Sequence, residues 1–190
     1  NYSQTPATEA DCDKQNGAGE EDGKVTPRRR MLQILAMASI PSQRTKNMVA
    51  KVIMASMSTD HVVRRAAIPV LLSIGGREGL VSLICMLRDS NPVIQGEAAE
   101  ALGMLGSPEA LEPLQQLAQN PEDEVAVRAA EALARLGSWS GKHVISRLLI
   151  REGPVSRRAA RALGLLVGCD FRPNAEGVEQ ARKYLRDHDL

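Results

Sequence analysis

Three histidines, His61, His143 and His188, and three cysteines, Cys12, Cys85 and Cys169, have the widest chemical repertoire in this 190-residue chain. A metal centre built from them would need Cys or His pairs a few residues apart, and each of the six stands alone. Nucleophilic catalysis would need a serine or cysteine with a base beside it. Ser107, Asp60 and Asp170 fall instead where helices start or the chain turns, and capping explains them. Gly75-Gly76 follows no strand and reads as a helix stop rather than a phosphate-cradling loop. No catalytic group, metal or cofactor is expected, and the chain is read as a non-enzyme. The odd cysteine count forbids complete pairing within the chain, and Cys85 and Cys169, set in or beside apolar stretches, are expected to be buried free thiols.

Whatever positions these residues has few aromatic rings to build with. One Trp, two Tyr and one Phe make 2% of the chain, while hydrophobic residues reach 43% and charged residues 25%. The core must then be filled by Leu, Ala, Val, Ile and Met, side chains that mostly favour helices packed close together. Sites that stack bases or hold flat pigments need the missing rings. With 24 Lys and Arg against 23 Asp and Glu, the net charge of +1 gives no polyanion-binding signature. No run of 18 apolar residues exists to span a membrane. The chain begins at Asn1 rather than Met, so the sequence fits a cytoplasmic protein or, with a leader removed upstream, a tethered extracytoplasmic one.

Residues 1–24 carry six acids against two bases and Tyr2 as their one large apolar side chain, so residues 1–25 read as an acidic flexible tail or tether. Beyond them an Ala-Ala pair recurs at Ala66-Ala67, Ala98-Ala99, Ala129-Ala130 and Ala159-Ala160, at intervals of 30 to 32 residues. Each unit reads as two helices. Asn91 caps one with Pro92 in its first turn, and Ala98, Ala101, Leu102 and Leu105 form its apolar stripe up to Gly106. Ser107-Pro108 then leads into a stripe of Leu111, Leu114 and Leu117. Pro113 cannot donate within a helix begun at Pro108, so a single turn followed by a helix from about Glu112 is expected. Thr26-Pro27 opens a weaker first unit, and Asn174 can cap a last amphipathic helix with Val178, Ala181, Tyr184 and Leu185 inward. Five two-helix units are expected over 26–190, with the small alanines drawing neighbours together.

This grammar resembles the HEAT repeat, in particular the short HEAT-like type first associated with bilin lyase subunits. Val127, Arg128, Ala130, Ala132, Leu133, Leu136 and Gly137 carry one half of the pattern, and Ser107 to Leu114 the other. The resemblance is clear over about 60–168 and looser at the flanks. It implies an all-α, right-handed α-solenoid whose second helices line a concave face, and it implies partner binding far more often than catalysis. Pro69 matches the kinked first helix of many such repeats. Gly96-Glu97 stands where Val-Arg is usual, so a charged ladder through the stack is expected to break there.

Charge falls in bands: six bases and no acid over 25–59, eight acids against Arg128 over 97–131, six bases against Glu152 over 139–161. Arg28, Arg29 and Arg30 sit in a first turn, where the helix dipole favours acids, so a negative group is expected beside them. The tail is the nearest candidate, and its docking over Ile53 and Met54 is the expectation. Superposing the second helices on their apolar stripes puts Ile53-Met54, Ile84-Cys85, Gln115-Gln116, Ser146-Arg147 and Arg182-Lys183 in one outward column, apolar at one end and basic at the other. Such a groove suits a protein or peptide with an acidic end. The reading is a monomeric, non-catalytic binding scaffold. Two alternatives are a bilin lyase or isomerase-like subunit and a nucleic-acid-binding HEAT-like protein; scarce aromatic rings argue against both, the acidic middle band against the second. Peripheral membrane contact stays open through the basic cluster.

Overall fold

The helices begin where a side chain can stand in for the missing partner of a first-turn N–H. Asp60 accepts from Val62 N at 2.9 Å, Asn91 from Val93 N at 2.9 Å and Asn174 from Gly177 N at 2.8 Å. Gly106, at φ 74°, closes its helix in the left-handed conformation with its N–H on Leu102 O.

The computed structural model describes residues 26–38, 40 and 46–188. Among these the chain forms α1 (Pro27–Ala38), α2 (Lys46–Ser56), α3 (His61–Ile74), α4 (Gly76–Met86), α5 (Pro92–Leu105), α6 (Leu111–Leu117), α7 (Asp123–Arg135), α8 (Lys142–Leu149), α9 (Pro154–Val167) and α10 (Ala175–Asp187), with no strand. The expected five pairs are present. A 3-10 turn, Pro108–Ala110, precedes α6, which begins at Leu111, one residue before the expected start; Pro113 then falls in the first turn, where its missing N–H costs nothing. A second such turn, Trp139–Gly141, precedes α8. α3 runs on through Pro69. The tail, Cys12 and Arg44, and with them the docking of the tail, lie outside the described residues.

The alanine pairs draw the first helices of successive units together. Ala67, Ala98, Ala99, Ala129, Ala130, Ala159 and Ala160 are fully buried, and α3 packs on α5, α5 on α7 and α7 on α9. Gly103 tightens the α5–α7 contact further: a Cβ there would come within 2.9 Å of Ala132 Cα. α6, by contrast, packs closely on α7 but not on α4 or α8. The stack therefore has a close row, α3, α5, α7 and α9, and an open row of second helices.

α7 joins the two halves of the core. Val125, Ala129, Ala132 and Leu133 pack into the N-terminal cluster, Ala126, Val127, Ala130 and Ala134 into the C-terminal one with Leu148, Leu163 and Val178. No described helix is long and apolar enough to cross a membrane.

Candidate protein-docking surface

The outward side of the close row is covered by ion pairs that run from helix to helix. Arg65 Nη2 of α3 donates to Glu97 Oε1 of α5 at 2.6 Å. Arg128 of α7 lies between Glu100 of α5 (3.2 Å) and Glu124 of its own helix (3.1 Å). Glu131 gathers three guanidiniums, from Arg161 of α9 at 2.7 Å, Arg135 at 3.0 Å and Arg158 at 3.3 Å. The ladder is not broken at Gly96-Glu97, as the sequence pattern suggested. Glu97 reverses the sign of its position and so accepts from Arg65, and Gly96 leaves the space that the Arg128 stem fills.

Glu131 is only 2% exposed. Burial pushes its carboxyl up, but the hydrogen bonds and charges of Arg161 and Arg135 outweigh this and hold it below the ordinary carboxylate range. It stays ionised at neutral pH, unfit as a proton donor and fit as an internal counter-ion. Arg158 is shared further with Glu124 (3.6 Å) and Glu100 (4.0 Å), and exposed Arg157, with no acid partner among the described residues, leaves an excess of guanidinium at the α9 end of the face.

Beside the ladder runs a column that is apolar at three of its four positions. Five residues after the second alanine of each pair stand Leu72, Met104, Arg135 and Leu165. Leu72 is half-buried, Met104 is 52% and Leu165 45% exposed. Helices so closely packed present these positions about 8–10 Å apart.

The residues predicted as a groove all lie on the open row. Met54, Cys85, Gln115, Gln116, Arg147 and Lys183 are exposed, while Ile53, Ile84, Ser146 and Arg182 are half-buried. Ile84 and Gln116 meet in a recess of about 330 Å³ between α4 and α6, with Arg88 and Asn120 at its walls. Ser146 donates its hydroxyl to Lys142 O of its own helix. Arg182 donates to Leu149 O at 2.8 Å and Arg151 O at 3.2 Å, closing the end of α8. Arg28, Arg29 and Arg30 are exposed on α1. The negative group beside Arg28 is Asp60, the cap of α3, at 2.9 Å.

Both described cysteines are exposed and unpaired, against the expectation of burial: each falls on the solvent side of its element, which apolar neighbours in sequence do not reveal. The charge bands neutralise one another across helices, Glu97 on Arg65, Asp123 on Arg151 (2.9 Å), Glu131 on Arg161. Sequence reasoning missed two structural residues, Arg64 and Glu131. Arg64 grips Asp89 through Nε (2.7 Å) and Nη2 (2.8 Å) and donates to Ser58 O, tying two inter-helix turns together. Its signal was Arg-Arg at 64–65, where helical spacing puts only one of the two on the outer face. Glu131 was missed as a hub because two of its three partners, Arg158 and Arg161, lie 27 and 30 residues on, at the repeat distance.

Among the described residues no cluster of His, Cys, Asp and Glu is arranged to hold a metal ion. The fold and this face define a helical-repeat protein. The family signature of HEAT repeats matches residues 49–134 and 80–150, and the chain belongs to that family. It is similar to an engineered protein whose crystal structure was determined by the Northeast Structural Genomics Consortium, at 23% identity and a TM-score of 0.53, over 85% of this chain and 78% of that one. That likeness is one of fold. No curated protein sequence matches the chain.

Proposed function

We propose that the chain is a non-catalytic adaptor that binds a protein or peptide on the outward face of the close row. One observation carries the reading: an apolar column of Leu72, Met104 and Leu165 lies open beside a ladder whose charges already neutralise one another. A partner's apolar side chains gain free energy by covering the column, and the paired charges next to it need not be stripped bare to admit them. The excess of guanidinium at the α9 end suits a ligand with an acidic end. The open-row column from Ile53-Met54 to Arg182-Lys183 is the competing surface; its basic end is weakened by the commitment of Arg182 to carbonyls.

The test is quantitative affinity capture from cells expressing the full chain. Met104→Glu with Leu165→Glu should remove a defined set of partners. Gln115→Glu, Gln116→Glu and Arg147→Glu together should leave that set in place. All variants must keep the parent's helical circular dichroism. Loss in the second variant alone moves the site to the open row, and loss in neither removes the docking reading.

A further inference from the structure

Two adjoining recesses lie along α9 at the basic end of this face, with the Arg161 side chain between them. The first, about 210 Å³, is walled by Pro154 and Pro173 and lined by Arg157, Arg158 and Arg161. The second, about 290 Å³, is formed by Gly164, Leu165, Gly168, Cys169 and Phe171, with Asp170 at its edge. Arg158 and Arg161 share the buried Glu131 carboxylate, while exposed Arg157 has no acid partner among the described residues. Arg158 also reaches Glu124 at 3.6 Å and Glu100 at 4.0 Å, so of the guanidiniums around these recesses it is Arg157 that stands without a counter-ion among the described residues. The 168–173 connection is fitted against both neighbouring helices, since a Cβ on Gly164 would strike Cys169 O and one on Gly177 would strike Arg172 O. The walls of both recesses are therefore built into the fold.

We propose that this pair of recesses is a bipartite peptide site, taking a carboxylate side chain of a partner segment beside Arg157 and Arg158 and a large apolar side chain over Leu165 and Phe171. The proposal rests on the adaptor reading and deepens it. The chain's own Glu131 shows the chemistry: a carboxylate satisfies guanidiniums of both α7 and α9 at 2.7 to 3.3 Å. These are charge-assisted bonds, and Arg157, with five N–H donors and no acid partner among the described residues, can make the same kind to a second carboxylate. Seven residues separate Arg158 from Leu165, about 10 Å along a helix. An extended peptide covers that distance in about three residues, so the segment carries its acid and its apolar side chain three positions apart.

The test uses the full 15N-labelled chain and synthetic hexapeptides of two glutamates, two alanines, a leucine and a phenylalanine, titrated by NMR to several millimolar. Saturable shifts confined to α9 and 168–173 are expected. Replacing the glutamates by glutamines, or the leucine and phenylalanine by serines, should each weaken binding at least tenfold. Arg157→Gln, which breaks no internal ion pair, should weaken the parent peptide at least threefold, and Leu165→Asp should abolish its binding. No shifts, shifts elsewhere, or equal affinity for the glutamine peptide would overturn the site. So would a phosphoserine peptide lacking the apolar pair that binds as tightly as the parent, since it would mark a plain anion site. Failure here, with partner capture still lost on Met104→Glu and Leu165→Glu, discards this site and keeps the adaptor; loss of neither discards both.

Discussion

The two rows of helices are built from the same repeat and do different work. In the close row, alanine and glycine let backbones approach until side chains from neighbouring units interdigitate, and the charged residues of one unit find partners on the next. In the open row, α6 stands clear of α4 and α8, and recesses take the place of contacts. Along the rows, neighbouring units are tied more closely through the close row of first helices than through the second. In a repeat protein, where stability is a sum of unit and neighbour terms, that row should be the sensitive one.

The sharpest test of this difference is an added side chain of the same size on each row. Gly103→Leu forces atoms into Ala132 of α7, where only backbone can yield, and should cost about 3 kcal/mol, lowering Tm by roughly 6–12 °C. Gln115→Leu, on the exposed side of α6, should change Tm by no more than about 2 °C. Equal shifts for the two would erase the distinction between rows.

Next in size is the Glu131 hub. Glu131→Gln keeps the shape but leaves three guanidiniums without their charge, at about 2–3 kcal/mol. Because the folded carboxyl titrates below the ordinary range, the stability it contributes is complete above the unfolded value, near pH 4–4.5, and is lost as pH falls through the folded one. Asp89 behaves in the same way, held low by the Arg64 guanidinium and the Asn91 N–H against desolvation. Chemical denaturation between pH 7 and pH 3 should show a steep acid limb for the parent, flatter for Glu131→Gln and flatter still with Asp89→Asn added. An unchanged limb in both variants would mean that these carboxylates titrate alike in folded and unfolded chains.

These partnerships also mark how far the sequence was legible. Ala-Ala pairs, Asn-Pro starts and glycine stops give the number, type and order of helices, because each is a local signal that acts on its own segment. Which row packs closely depends on how helices approach across 30 residues of intervening chain. The alanines of the first helices held that information, while the groove residues read from the sequence lie on the other row. Pairings such as Arg64 with Asp89 and Arg161 with Glu131 escape for the same reason: charge bands tell that neighbours neutralise one another, not which atom reaches which. The exposed thiols show the limit at single residues: one step around α4 separates Cys85 from the core, and Cys169 lies just past the end of α9 in the connection to α10.

The third prediction concerns Arg128, which fills the space over Gly96 and bridges α5 to α7 through Glu100. Its side chain is 20% exposed and its acids are partly exposed, so Arg128→Ala should cost about 1–2 kcal/mol, mostly in lost packing of the stem and one screened ion pair. Gly96→Ala pushes against the same flexible stem and should cost less, since a long side chain can give way where backbone cannot. A larger loss for Gly96→Ala than for Arg128→Ala would show that helix spacing, rather than the arginine, sets the contact.

The smallest effect belongs to Arg65 and Glu97, the pair that keeps the ladder continuous where the family pattern predicts a gap. The geometry is good, with two donor nitrogens on one carboxylate at 2.6 to 2.9 Å, yet the Arg65 side chain is 58% exposed. Water and salt screen such a pair, and fixing two long side chains offsets much of its attraction. Arg65→Ala and Glu97→Ala should therefore each melt within about 1 °C of the parent, and the double variant should show no coupling beyond error. Their worth lies elsewhere: Glu97→Arg would set two guanidiniums opposite each other and leave an uncompensated positive charge beside Met104. On the adaptor reading that variant should melt almost normally and yet favour more acidic peptides on the close row, measured by the same NMR titration. A large loss of stability instead would mean that this outermost pair holds α3 to α5, and that the close row is tied by its charges as much as by its alanines.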